Sequence, residues 1–248
     1  MQNTIYESFE LPSKGLVYDT PINPHITLSS MTTAEEMQRL SPTSTPYKVM
    51  SDIIEECMKD KPDIHVYDMC IGDYQFLLHK LRIVTYGPSY LMDIRCPNCG
   101  EITSVEADLE SLEVREWSED LINHKRITLP KTGRVVDLKL QTPRDLDTID
   151  YKAKELANKT KTNLSYKFLF TIMSNIGAVD GRDMNSMQLE AFVRELPLND
   201  ANFILNRAND LAERVGLDTM IHVTCPKCGY ELVTPFRITS EFFGPTNY

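Results

Sequence analysis

The chain has 248 residues, 42% of them hydrophobic, enough to fill one large core or two smaller ones. Its formal net charge is −10 and its pI is near 5.0, which argues against a nucleic-acid-binding surface, because phosphate contacts need clustered lysine and arginine. No apolar run approaches the roughly 20 residues that span a bilayer, and Met1-Gln2-Asn3-Thr4-Ile5-Tyr6-Glu7 lacks the basic and apolar regions of a signal peptide, so a cytoplasmic chain without a membrane span is expected.

Residues 1–30 read as an extended arm or hairpin. A Pro12-Ser13-Lys14-Gly15 turn lies between apolar arms, and Pro21 and Pro24 follow. Residues 31–89 read as helical. Thr32 with Glu35, or Thr33 with Glu36, makes a capping box for a first helix. Thr45 caps a second, with Pro46 at its first position and Val49, Ile53, Ile54, Cys57 and Met58 as its stripe. Gly72-Asp73 opens a third, with Phe76, Leu77, Leu81 and Val84 inward and Tyr86-Gly87-Pro88 as its stop. His79 and Lys80 fall on its polar side, which makes His79 a surface residue. Cys57 and Cys70 sit alone in apolar surroundings, as free thiols in a reducing compartment do.

Cys96-Pro97-Asn98-Cys99-Gly100 is a C-P-x-C-G knuckle, and Cys225-Pro226-Lys227-Cys228-Gly229 is a second. Proline fixes φ and glycine permits a positive φ, so both thiolates of each knuckle can face one point. β-Branched residues flank both, so each half reads strand, knuckle, strand over 90–108 and 219–238. Four sulfurs from Cys96, Cys99, Cys225 and Cys228 are the tetrahedral set of a structural Zn²⁺. Such a site leaves no coordination position for a reacting water, so the metal is a staple. The layout is a zinc ribbon, yet 125 residues separate Cys99 from Cys225, against about 15–20 in ordinary ribbons. The ribbon therefore closes around a large insertion.

That insertion, 109–218, follows an acidic run. Residues 101–120 carry eight acids against Arg115, and Lys125, Arg126, Lys131, Arg134, Lys139 and Arg144 then face Asp137 alone. Two solvated faces explain this, as does an assembly surface of complementary patches. Trp117, the single tryptophan, reads as an anchor on the surface or in a small core. Arg126–Leu129 and Arg134–Leu140 alternate across Pro130-Lys131-Thr132-Gly133 as a β-hairpin. Four amphipathic helices follow: one after Thr142-Pro143, one through Leu164 to Gly177, one from Asn185 or Ser186, and one from Asn199-Asp200 ending at Gly216. With short links they read as a small bundle. The tail, 239–248, holds Phe242-Phe243, which either tucks into the domain or docks on a partner.

There is no glycine-rich phosphate loop and no G-x-S-x-G elbow. His25, His65, His79, His124 and His222 lack metalloenzyme spacing. No small-molecule substrate is indicated.

Several strings together resemble the baseplate hub assembly proteins of T4-like contractile-tailed bacteriophages. They are Leu11-Pro12-Ser13-Lys14-Gly15 with Tyr18, the Ser30-Met31-Thr32-Thr33-Ala34-Glu35-Glu36 helix start, Leu81-Arg82 through Tyr86-Gly87, the split knuckles, and the Phe242-Phe243-Gly244-Pro245 ending. The resemblance implies a non-enzymatic structural or assembly protein, made in the host cytoplasm and acting on other baseplate or tail proteins, with the virion tail baseplate as a second location. The expected fold is α+β, mainly helical, with the split four-cysteine zinc ribbon around an inserted hairpin and bundle. The alternative function is a zinc-ribbon adaptor for nucleic acid or the transcription machinery, which the acidic charge disfavours.

Overall fold

The computed structural model describes residues 6–162, 164–235 and 240–243. The first five residues of the expected arm, residues 236–238 of the second ribbon half, and residues 239 and 244–248 of the tail lie outside them. Among the described residues eleven short strands are mixed with eight α-helices.

β1 (Tyr6–Glu10) and β2 (His25–Ser29) pair antiparallel, as expected of the arm. The loop between them folds back tightly. Gly15 takes φ +72°, and a Cβ there would lie 2.1 Å from the Ile22 carbonyl oxygen. α1 (Thr33–Arg39) starts on the Thr32–Glu35 capping box. α2 (Pro46–Glu56) has Pro46 in its first turn, but Thr45 makes no side-chain cap. Its orphan amides are met instead from 100 residues away. Asp147 accepts from Lys48 N at 2.9 Å and Tyr47 N at 3.4 Å, and from the Tyr67 hydroxyl at 3.1 Å. A carboxylate suits the positive end of a helix, so a tertiary contact has replaced the local cap.

α3 (Ile71–Tyr86) is the axis of the first core. It is buried around nearly its whole circumference, although it carries Asp73, His79 and Arg82. His79 is therefore not a surface residue, and its exposure is 1%. The turn at Leu109–Ser111 packs against its flank, and His79 Nε2 donates to Leu109 O at 2.8 Å. Lys80 lays its ammonium over the Phe9 and Phe76 rings, 5.1 and 5.5 Å from their centres. Arg82, also fully buried, donates to Phe242 O at 2.8 Å and Gly87 O at 3.0 Å, with its guanidinium 4.7 Å from the Tyr86 ring centre. Phe242 and Phe243 are inserted into this core, so the aromatic pair tucks in.

β3 (Ser89–Arg95) pairs antiparallel with β4 (Ile102–Asp108), and β5 (Val114–Arg115) and α4 (Asp120–His124) follow. β6 (Arg126–Thr128) and β7 (Val135–Leu138) form the expected hairpin. α5 (Pro143–Thr160) starts on a Thr142–Asp145 capping box and packs on both α2 and α6 (Tyr166–Ser174). α6 stops before Ile176. Ile176–Val179 is not the end of a helix but β8, which completes a β6-β7-β8 sheet. β-Branched Ile176 and Val179 are buried there, and the open edge of β7 supplies ladder partners the helix could not.

α7 (Ser186–Glu195) is capped by Asn185, as expected. α8 (Leu198–Ala212) is not started by Asp200. That buried carboxylate faces the β6–β7 turn and accepts from Lys131 N, Thr132 N and Thr132 Oγ1 at 2.8–2.9 Å. The four helices thus pack with a three-stranded sheet rather than forming a bundle of their own, with α6 against α5, α7, α8 and β8, and helices and sheet share the second core. Trp117 packs at its margin, and its backbone N–H donates to Pro12 O at 2.8 Å.

Gly216 lies beyond the end of α8, in β9 (Gly216–Leu217), which pairs with β5. It has φ +126° and meets the start of α3: a Cβ on Gly72 would sit 2.1 Å from Val215 O. The chain ends its described ladder structure with β10 (Met220–Thr224) and β11 (Glu231–Pro235), an antiparallel pair.

Candidate metal centre

Two knuckles terminate two separate hairpins. β3 leads into Cys96 and β4 leaves after Gly100; β10 leads into Cys225 and β11 leaves after Gly229. The backbone repeats closely in both. Cys96 N donates to Glu101 O at 2.8 Å and Gly100 N to Cys96 O at 2.9 Å. Cys225 N donates to Tyr230 O at 2.9 Å and Gly229 N to Cys225 O at 2.9 Å. Gly100 and Gly229 take φ of +74° and +69°, the left-handed turn that a side chain disfavours. In each knuckle the first cysteine is buried and the second exposed.

All four Sγ atoms lie within 4.8 Å of one another. Cys96 and Cys228 are 3.7 Å apart, and Cys99 and Cys225 are 3.8 Å apart. A regular tetrahedron with metal–sulfur bonds of about 2.3 Å has edges of about 3.8 Å, so the set can hold a metal ion of that size. The thiols also respond to one another's closeness. Cys228 is drawn down to about 6, chiefly because the Asn98 amide donates to its sulfur. Cys99 is pushed up to about 12: the Glu101 amide favours its thiolate, but desolvation and the neighbouring sulfurs outweigh it. A bound dication would stabilise all four as thiolates.

Across the gap, Lys227 Nζ meets Glu101 Oε2 at 2.5 Å, so each knuckle sends a side chain to the other. Among the described residues the two hairpins share no ladder: they form two two-stranded sheets rather than one four-stranded ribbon, and the sulfur cluster, the Asn98–Cys228 contact and the Lys227–Glu101 pair lie where their tips meet. At their base the short β5–β9 ladder closes the other end, with Asp218 N donating to Glu113 O at 2.8 Å and Asp218 paired with Arg115.

Cys57 and Cys70 stay apart from this centre. Burial pushes the Cys57 thiol up to about 12 and Cys70 higher. Cys70 belongs to a polar cluster the sequence reading missed. Asp73, fully buried, accepts from Ser13 N at 3.0 Å and from the Ser13 and Tyr18 hydroxyls at 2.5 Å each. Burial raises the Asp73 carboxyl despite those donors. The signal was the Leu11–Gly15 string with Tyr18, whose Ser and Tyr are the donors that pin the loop to α3. The basic residues of 125–144 mostly find acids outside the 101–120 stretch: Arg126 pairs with Asp137, Arg134 with Asp180, Lys139 with Asp145 and Arg144 with Asp68.

Fold and centre together define a mixed α/β protein with a four-cysteine cluster drawn from two distant hairpins. A family model described as T4 bacteriophage base plate protein matches residues 4–244. The chain belongs to that family. No curated protein and no solved structure matches it.

Proposed function

We propose that this chain is a structural or assembly protein of a contractile-tail baseplate hub, acting without catalysis through contacts with other baseplate or tail proteins. The observation that carries the reading is the family match over residues 4–244. In this reading Cys96, Cys99, Cys225 and Cys228 hold one Zn²⁺ as a staple. The ion supplies a closed tetrahedral cross-link with no position left for a reacting water. The protein's own residues do the rest. The knuckle amides fix the sulfurs, Asn98 favours thiolate at Cys228, and Lys227 with Glu101 spans the knuckles. The staple sets the angle between the two hairpins, while the 31–89 helices and the inserted 109–218 region are held together directly by the packing of α5 on α2, the Asp147 bonds to the α2 amides and the close approach of Gly72 to Val215.

Assembly would take place in the host cytoplasm, with the tail baseplate as the location the family implies. No helix among the described residues is long and apolar enough to cross a membrane. The acids along β4 and next to its knuckle, Glu101, Glu106 and Asp108, disfavour an adaptor that grips nucleic-acid phosphates. Mass spectrometry of purified particles, with zinc analysis of the purified chain, tests the reading. The expected results are stable virion incorporation or a reproducible assembly intermediate, and close to one zinc per chain. Micromolar DNA or RNA binding with a steep salt dependence would overturn it.

A further inference from the structure

The facing edges of the two hairpins are open. β4 has β3 as its ladder partner and β10 has β11; among the described residues no ladder joins β4 to β10. Between them runs a groove of about 460 Å³. Its walls come from β4 and β10 and not from β3 or β11, so it lies along the two free edges. The β5–β9 ladder closes it at the base and the sulfur cluster lies at the tips. Val105, Ala107, Met220 and Ile221 give it apolar surface, and Glu106, Asp108, Glu113 and Asp218 line it with acids. Asp218 is paired with Arg115, but Glu106, Asp108 and Glu113 have no cation partner among the described residues.

A strand edge flanked by alternating apolar side chains is a template for another strand. Unneutralised acids along such an edge select the charge of what adds to it. We infer that the groove between β4 and β10 takes an extended segment of another protein that alternates apolar with lysine or arginine residues and pairs with one or both free edges. This rests on the baseplate reading and supplies what that reading lacks, the surface and the chemistry of a partner. The four-cysteine cluster then has a second task, holding the two edges at the spacing the added strand requires.

The test uses the full zinc-loaded chain and a synthetic eight-residue peptide alternating valine and lysine, with a valine–glutamate peptide as its counterpart. Binding is followed by fluorescence anisotropy, and its location by amide hydrogen exchange. The expected result is binding of the lysine peptide alone, with added protection confined to 104–108 and 220–223. The double variant Glu106→Lys/Glu113→Lys should weaken that binding at least tenfold while its zinc content and helical circular dichroism stay unchanged. Absence of binding, equal binding of both peptides, or protection elsewhere overturns the proposal. So does self-association of the chain with these same amides protected, because the occupant would then be a second copy. In particles, a double variant that retains zinc and incorporates normally sinks the groove and leaves the baseplate reading intact. Wild-type protein that binds the lysine peptide as described but enters no particle or assembly intermediate upholds the groove and sinks that reading.

Discussion

The α3 core and the paired hairpins solve the same problem with different means. α3 is enclosed on nearly every side, and even its Asp73, His79 and Arg82 are submerged and hydrogen-bonded. In the hairpins full burial is confined to Cys96, Ala107, Val223 and Cys225, with Tyr90, Met92 and Ile221 half-covered against the first core. A two-stranded sheet is marginal in water, so the hairpins depend on something beyond apolar burial, whereas α3 does not. The lesson is that one chain can carry a core held by apolar burial and an appendage that, with a metal held by the four cysteines as proposed, takes its shape from coordination chemistry.

The largest effect should come from breaking that appendage. Cys225→Ser, or a strong chelator, should remove the zinc, release the hairpin tips and abolish partner incorporation while most helical circular dichroism survives. Far-ultraviolet signal and partner pull-down followed together during chelation check it. Helicity that collapses in step with metal loss would make the chain one cooperative unit and erase the contrast. Gly72→Ala attacks the self-sufficient side instead. Its Cβ would strike Val215 O, and backbone must shift where α3 meets β9. Urea unfolding should show a loss of about 3 kcal/mol, the upper range for overpacking, with zinc content unchanged. Asp147→Ala removes a carboxylate that serves the α2 amides and Tyr67. It should cost about 1–2 kcal/mol by the same measurement.

The last effect is a slope. Desolvation holds the His79 ring down at about 4, with Leu109 O opposing and Lys80 assisting. An unfolded histidine titrates near 6.5. The folded value is the lower one, so His79 contributes stability above pH 6.5 that is lost as pH falls toward 4. Urea midpoints across that window should fall with acidification in the wild type. The fall should be shallower in His79→Gln, which retains a donor for Leu109 O. Parallel slopes would remove His79 from the account.

The parts legible in sequence were those with local causes. Proline and glycine at fixed offsets gave the knuckles, Thr32–Glu35 and Asn185 gave helix starts, and alternation gave β6 and β7. What escaped had distant causes. Thr45 has the right chemistry for a cap, but Asp147 reaches the α2 amides first. Asp200 follows Asn199 as a helix start would, yet the β6–β7 turn claims its carboxylate. Ile176 continues the helical spacing of α6 until the edge of β7 makes a strand of it. His79 has a polar side chain on a nominally polar face, and only the arrival of Leu109 covers it. The four cysteines that come together in the structure were readable from spacing. The facing strand edges were not, because no local pattern records which side of a hairpin its neighbour leaves bare.

Phe242 also bears on the order in which the chain takes shape at the ribosome. The second core draws its fully buried residues from Leu121 to Val215, one continuous stretch of the chain. The first core is built mainly from the opening hairpin and α3, yet its interior is completed by Phe242 and Phe243, and Arg82 grips the Phe242 carbonyl. Those first-made segments must wait with an open seam until residue 243 leaves the exit tunnel. The second core can therefore be completed within one stretch of the chain, whereas the first needs both its beginning and residues 242–243. During that interval the exposed face of α3 is the region most in need of a chaperone.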